Sequence, residues 1–115
     1  MSLKIIVLIR KDPTVSQQPV EGLRIALGLS TGPNPLTIVL IGQARLLVTE
    51  ELNHSIMDLE TLEKYLPTIQ DLHLPIVIPT ESQKSFDVDP DFSIEEKSAT
   101  DIQSLLHEAD RVLIF

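Results

Sequence analysis

Residues 3–9, Leu-Lys-Ile-Ile-Val-Leu-Ile, form a nearly unbroken apolar run rich in β-branched side chains, and Arg10, Lys11, Asp12 and Pro13 end it abruptly. A strand with one wet face alternates apolar and polar side chains. A run without alternation reads instead as a strand buried on both faces, which needs helices above and below it. Residues 37–41, 75–78 and 112–115 have the same character, and stretches of helical periodicity separate them. The expected fold is α/β: a single-domain three-layer α/β/α sandwich around a mainly parallel central sheet of four or five strands.

The 115 residues, 43% of them hydrophobic, suffice for one domain with a real core and are too few for two. No apolar run reaches bilayer length and the N-terminus lacks the small-residue cleavage pattern of a secretory signal, so a cytoplasmic protein without membrane contact is expected. There is no cysteine, which excludes disulfides, thiolate chemistry and sulfur-ligated metals. A net charge of -8 repels phosphate backbones, and Arg10-Lys11 is the only adjacent pair of cations, so nucleic acid is not an expected partner.

The elements between the strands follow from periodicity and capping. Pro19 suits a helix start, and Val20, Leu23, Ala26 and Leu27 then fall at helical spacing, although Gly22 weakens the first turn by roughly 1 kcal/mol. Gly32 suits the close of that helix. Gly42-Gln43 allows a sharp bend after the second strand into a helical stripe, Ala44, Leu47, Val48 and Leu52. Ser55 and Asp58 have capping-box spacing ahead of Leu59, Leu62 and Leu66, a third helix whose end Pro67 and Pro75 bracket. Pro79 places the strand at 75–78 near an edge, and the apolar strand at 112–115 is expected inside the sheet or well covered. Ser98 and Asp101 repeat the capping spacing before Ile102, Leu105, Leu106 and Ala109. Residues 80–97 carry Phe86, Phe92 and Ile94 among six acidic side chains. They suggest either a small helix after Thr80 or an extended excursion that docks its aromatics on the body or on another subunit.

Ligands of open parallel sheets sit beyond the carboxyl ends of the strands, which selects Arg10, Lys11, Gly42, Gln43, Thr80, Glu81 and Ser82 as candidate ligand-binding residues. They define a place, with no catalytic constellation attached. Neither G-x-G-x-x-G nor G-x-x-x-x-G-K-[ST] occurs, and no serine sits in a G-x-S-x-G elbow. His54, His73 and His107 lack metal-ligand spacing. The carboxylates Asp87, Asp89 and Asp91 miss the calcium-loop pattern, with Phe92 at the sixth position and Ser98 at the twelfth. No metal and no cofactor is expected.

The order and spacing of several segments resemble the DsrE/DsrF/DsrH-like family, which includes the subunits of TusBCD-type sulfur-relay complexes. These are Lys4-Ile5-Ile6-Val7-Leu8-Ile9, Glu21-Gly22-Leu23-Arg24-Ile25-Ala26-Leu27-Gly28, Ile38-Val39-Leu40-Ile41-Gly42, Glu81-Ser82, Ser98 with Asp101-Ile102-Gln103-Ser104-Leu105-Leu106, and Glu108-Ala109-Asp110-Arg111-Val112-Leu113. The resemblance implies an α/β/α domain that assembles into trimers or hexamers, often from homologous subunits, with a cysteine persulfide in some members near the end of a middle strand. The corresponding neighbourhood here is Ile78-Pro79-Thr80-Glu81-Ser82, and a hydroxyl cannot stand in for a thiolate there. The leading expectation is a non-catalytic assembly or accessory subunit of a DsrE/F/H-like complex. Its partners would be further copies of itself, as dimer, trimer or hexamer, or homologous subunits in a hetero-oligomer. The alternatives are a small anion- or metabolite-binding protein or enzyme using the strand-end cleft, and a purely structural homo-oligomer.

Overall fold

The first strand, β1 (Ile5–Ile9), is buried along its whole length and lies between two others. The computed structural model describes residues 3–50, 52, 54–80 and 88–115. Its elements are β1, α1 (Gln18–Leu29), β2 (Leu36–Leu40), a 3-10 helix Gly42–Val48, α2 (Leu59–Asp71), β3 (Ile76–Pro79), β4 (Ile94–Lys97), α3 (Ala99–Glu108) and β5 (Arg111–Ile114). The strands form one sheet in the order β4-β3-β2-β1-β5, and each of its pairings is parallel. The chain thus adds strands outward from β1 to β4 and returns through α3 to the other side of β1. One domain with a helical layer on each face of the sheet is the observed architecture.

Because successive side chains of a strand point to opposite faces, β1 feeds two separate cores. Ile5, Val7 and Ile9 join Val20, Leu23 and Ala26 of α1 and Leu62, Leu66 and Ile69 of α2. Ile6 and Leu8 join Val39, Val77 and Ile102 under α3. A strand that must satisfy two apolar layers at once has no position left for a polar residue, which is why residues 5–9 do not alternate.

α1 begins with Pro19 in its first turn and closes without Gly32: the Ser30 N–H donates to Ala26 O at 2.9 Å and the Ser30 hydroxyl to Leu27 O at 2.7 Å. After β2 the chain makes a 3-10 helix that stops at Val48, where a longer helical stripe to Leu52 is expected. α2 starts three residues later than Ser55 predicts. Its N-cap is Asp58, in the left-handed region at φ 62°, and the Thr61 hydroxyl donates to Asp58 Oδ1 at 2.8 Å. The helix runs through the exposed Pro67 and ends at Asp71, between the two bracketing prolines. Ser98 caps α3 as expected, its Oγ accepting the Asp101 N–H at 3.1 Å. Ser98→Ala is expected to cost about 1 kcal/mol, read as a lower urea midpoint with unchanged slope.

β3 lies near an edge of the sheet as expected, beside the edge strand β4, with Pro79 at its last position, where a single missing donor leaves both ladders intact. One strand placement differs from expectation. β5 is an edge strand. Its apolar character is used on two sides, with Leu113 and Phe115 packed toward α1 and Val112 toward α3, while Ile114 stays 56% exposed. The excursion before α3 does dock on the body: Phe92 is 6% exposed in the larger core, and Ile94, the first residue of edge strand β4, packs against the same core. Val88 bridges Thr49 and the Asp89 N–H donates to Val48 O at 2.8 Å. Glu95, Glu96 and Lys97 keep the β4 edge charged, which discourages pairing with other chains. Phe86 and the expected small helix after Thr80 lie outside the described residues.

Candidate functional site

Strand order reverses at β1, so the rule for parallel sheets points to the carboxyl ends of β1 and its neighbours. The Arg10 and Lys11 N–H groups both donate to Phe115 O, at 2.8 and 3.4 Å, which ties the exit of β1 to the end of β5. Both side chains are exposed. The exit of β2 is tied in the same way, the Ile41 N–H donating to Ile9 O at 3.1 Å.

Gly42 then turns the chain with φ +60°. A methyl built on it would stand 3.9 Å from Arg10 O, an ordinary contact, so backbone conformation rather than space calls for glycine. Gly42→Ala is expected to lower stability by about 1 kcal/mol, with the far-ultraviolet circular dichroism spectrum unchanged. Gln43 follows on the surface, and Ala44, Leu47 and Val48 hold the turn against the core. Arg45, which the strand-end rule did not select, donates from Nε to Gly42 O at 3.0 Å and braces the bend; partial burial lowers its pKa. Only its position three residues after Gly42 hinted at this.

Arg10, Lys11, Gly42 and Gln43 are therefore neighbours. Thr80 follows β3, the neighbour of β2, so it stands one strand spacing, about 5 Å, from the β2 exit and two from β1; its N–H donates to Lys97 O at 3.0 Å. Glu81 and Ser82 lie outside the described residues.

The loop after β1 is built rather than slack. Asp12 Oδ1 accepts from the Thr14 N–H at 2.8 Å and the Thr14 hydroxyl at 2.7 Å, bonds that hold its carboxyl below the usual carboxylate range. The Val15 N–H donates to Asp12 O at 3.1 Å, and the Met57 N–H donates to Pro13 O at 2.7 Å, joining this loop to the segment that enters α2. Val15 and Met57 are 74% and 38% exposed.

Chemically the rim offers two cations, an amide and a hydroxyl. Among the described residues no polar or charged side chain is buried. Among the same residues no three His, Asp or Glu side chains cluster as metal ligands, and His54, His73 and His107 are exposed and apart. No helix of the described residues is long and apolar enough to cross a membrane. At the opposite end, a cavity of about 230 Å3 opens between Lys4, Ile6, Thr37, Leu105 and Glu108; no motif in the sequence marks it.

No protein-family model and no curated protein sequence matches the chain. Among solved structures, the fold is similar to the crystal structure of the ychN protein from E. coli, with a TM-score of 0.74 over 100% of both chains at 18% identity. At that identity the likeness is one of fold.

Proposed function

We propose that this chain is a DsrE/DsrF/DsrH-like protein serving as an accessory subunit of an assembly, without a persulfide-carrying role of its own. The reading is carried by one combination: the resemblance of the sequence segments to the DsrE/DsrF/DsrH-like family, with the expected α/β fold present, in a chain with no cysteine. Persulfide transfer requires a thiolate that attacks a sulfane sulfur and forms an S–S bond. Thr80, at the end of an interior strand, has a hydroxyl that is protonated at neutral pH and forms no such bond. What the fold retains is the scaffold, and a scaffold without the thiol is suited to positioning a partner that has one.

Light scattering at micromolar concentration tests this. The expected mass is a multiple of 12.8 kDa for the chain alone, or, after mixing with a cysteine-bearing subunit of the same fold, a mass above that of either component. A strict monomer that ignores such subunits would remove the reading and leave metabolite binding at the strand ends as its successor.

A further inference from the structure

We infer that the cavity between the amino ends of β1 and β2 and the C-terminal turn of α3 binds a small zwitterion with an apolar body, the chemistry of a free aliphatic or aromatic α-amino acid. Its walls are apolar, made by Ile6, Pro35, Leu105 and Ala109. An apolar cavity of about 150 Å3 admits benzene, so the volume of about 230 Å3 found here admits a body of that size with a polar head. The walls are fixed before any ligand arrives. The Lys4 N–H donates to Asp110 Oδ2 at 2.8 Å, and Lys4 O accepts the N–H groups of Asp110 and Arg111 at 2.8 and 3.1 Å. On the other side the Ile5 N–H donates to Pro35 O at 3.0 Å.

Three polar side chains converge on this space. Thr37, in register with Ile6, is the one polar residue that β1, β2 and β3 turn toward α3, and its hydroxyl has no hydrogen-bond partner among the described residues. Lys4 and Glu108 both line the cavity and are exposed at its mouth, and among the described residues neither takes part in an ion pair. Glu108 is the last residue of α3, where the helix dipole disfavours a carboxylate and favours a cation beside it. The next charges along the chain, Asp110 and Arg111, are one of each sign, so the mouth as a whole is balanced. A simple cation would meet Lys4 and a simple anion would meet Glu108. A zwitterion places its ammonium at Glu108 and its carboxylate at Lys4 while its body fills the apolar pocket. The site lies at the end of the sheet opposite Arg10 and Gln43, so this inference stands apart from the assembly reading.

Titration of the isotope-labelled full chain with L-leucine and with L-phenylalanine, followed by amide chemical shifts, provides the test. Saturable shifts are expected at Ile6, Thr37 and Leu105, with Arg10 and Gln43 unmoved. Glycine has the charges without the body and should bind at least about tenfold more weakly. Isoamylamine and isocaproate each keep the leucine skeleton with a single charge, and each should bind about three- to fivefold more weakly than leucine, the scale of one exposed ion pair. Glu108→Gln should weaken leucine by the same factor and leave isocaproate unchanged, and Lys4→Gln should weaken leucine and leave isoamylamine unchanged. Both side chains are exposed, so thermal unfolding should not move. Four results would overturn the inference: no saturable shifts with either amino acid, shifts centred on Arg10 and Gln43, leucine binding no tighter than isoamylamine or isocaproate, or leucine affinity unaltered in both variants.

Discussion

Val7→Asp should abolish cooperative folding. Val7 is 0% exposed at the middle of β1, paired in register with Ile38 on one side and Leu113 on the other, and its side chain enters the larger core. An aspartate there loses the transfer energy of the valine and places a carboxylate where no cation or hydrogen-bond donor waits. The chain must either bury the charge or protonate it, and a penalty above about 4 kcal/mol is the usual result of that mechanism. Net stabilities of small domains run to only about 5–15 kcal/mol, so the loss approaches the whole. A thermal melt followed by circular dichroism should show a sloping baseline in place of a transition. A sigmoidal melt within a few degrees of the parent would mean that β1 is not central.

Gly22→Val should destabilise by about 3 kcal/mol or more, and the reason is specific to its site. Gly22 faces the sheet from α1, and a Cβ there would lie 3.0 Å from Cγ of Phe115 and 3.1 Å from Cγ1 and Cδ1 of Ile9. Ile9 is itself 0% exposed, with no space into which to retreat. Adding an isopropyl group forces α1 away from β1 and opens the core on both sides of the displacement. Gly28, on the same helix, provides the internal control: nothing lies within 4 Å of its Cβ position, so Gly28→Ala should raise stability by about 0.5–1 kcal/mol through helix propensity alone. Urea denaturation of the two variants should therefore shift the midpoint in opposite directions. Equal shifts would mean that propensity, not packing, decides both.

The contrast between these glycines also marks what a linear reading can reach. From residue types, Gly22 is only a weak point in a helix; its role depends on Phe115 at the other end of the sequence arriving beside it. The same limit explains the placement of β5. Apolarity reports that β5 touches two apolar layers and says nothing about whether a further strand lies beyond it, so an edge strand reads as an interior one. The elements that were legible, β1, α1 and α3, are those whose burial on one or two faces is written into local periodicity. The 3-10 helix at Gly42 and the left-handed cap at Asp58 are settled by tertiary packing, and periodicity placed them only approximately.

At the candidate site, the strand-end rule found Arg10, Lys11, Gly42 and Gln43, which the fold brings together. Thr80, which it also selected, follows β3 beside the exit of β2 and lies two strands from β1. It missed Arg45, because bracing a bend leaves little trace in sequence.

Native mass spectrometry of the purified chain after incubation with a low-molecular-weight persulfide donor reads both halves of the account in one spectrum. Multimeric ions are expected, of this chain alone or with an added cysteine-bearing subunit of the same fold, in which each copy of this chain retains its unmodified mass. Monomeric ions throughout, or a copy of this chain that holds an additional sulfur atom with no other polypeptide present, would contradict it.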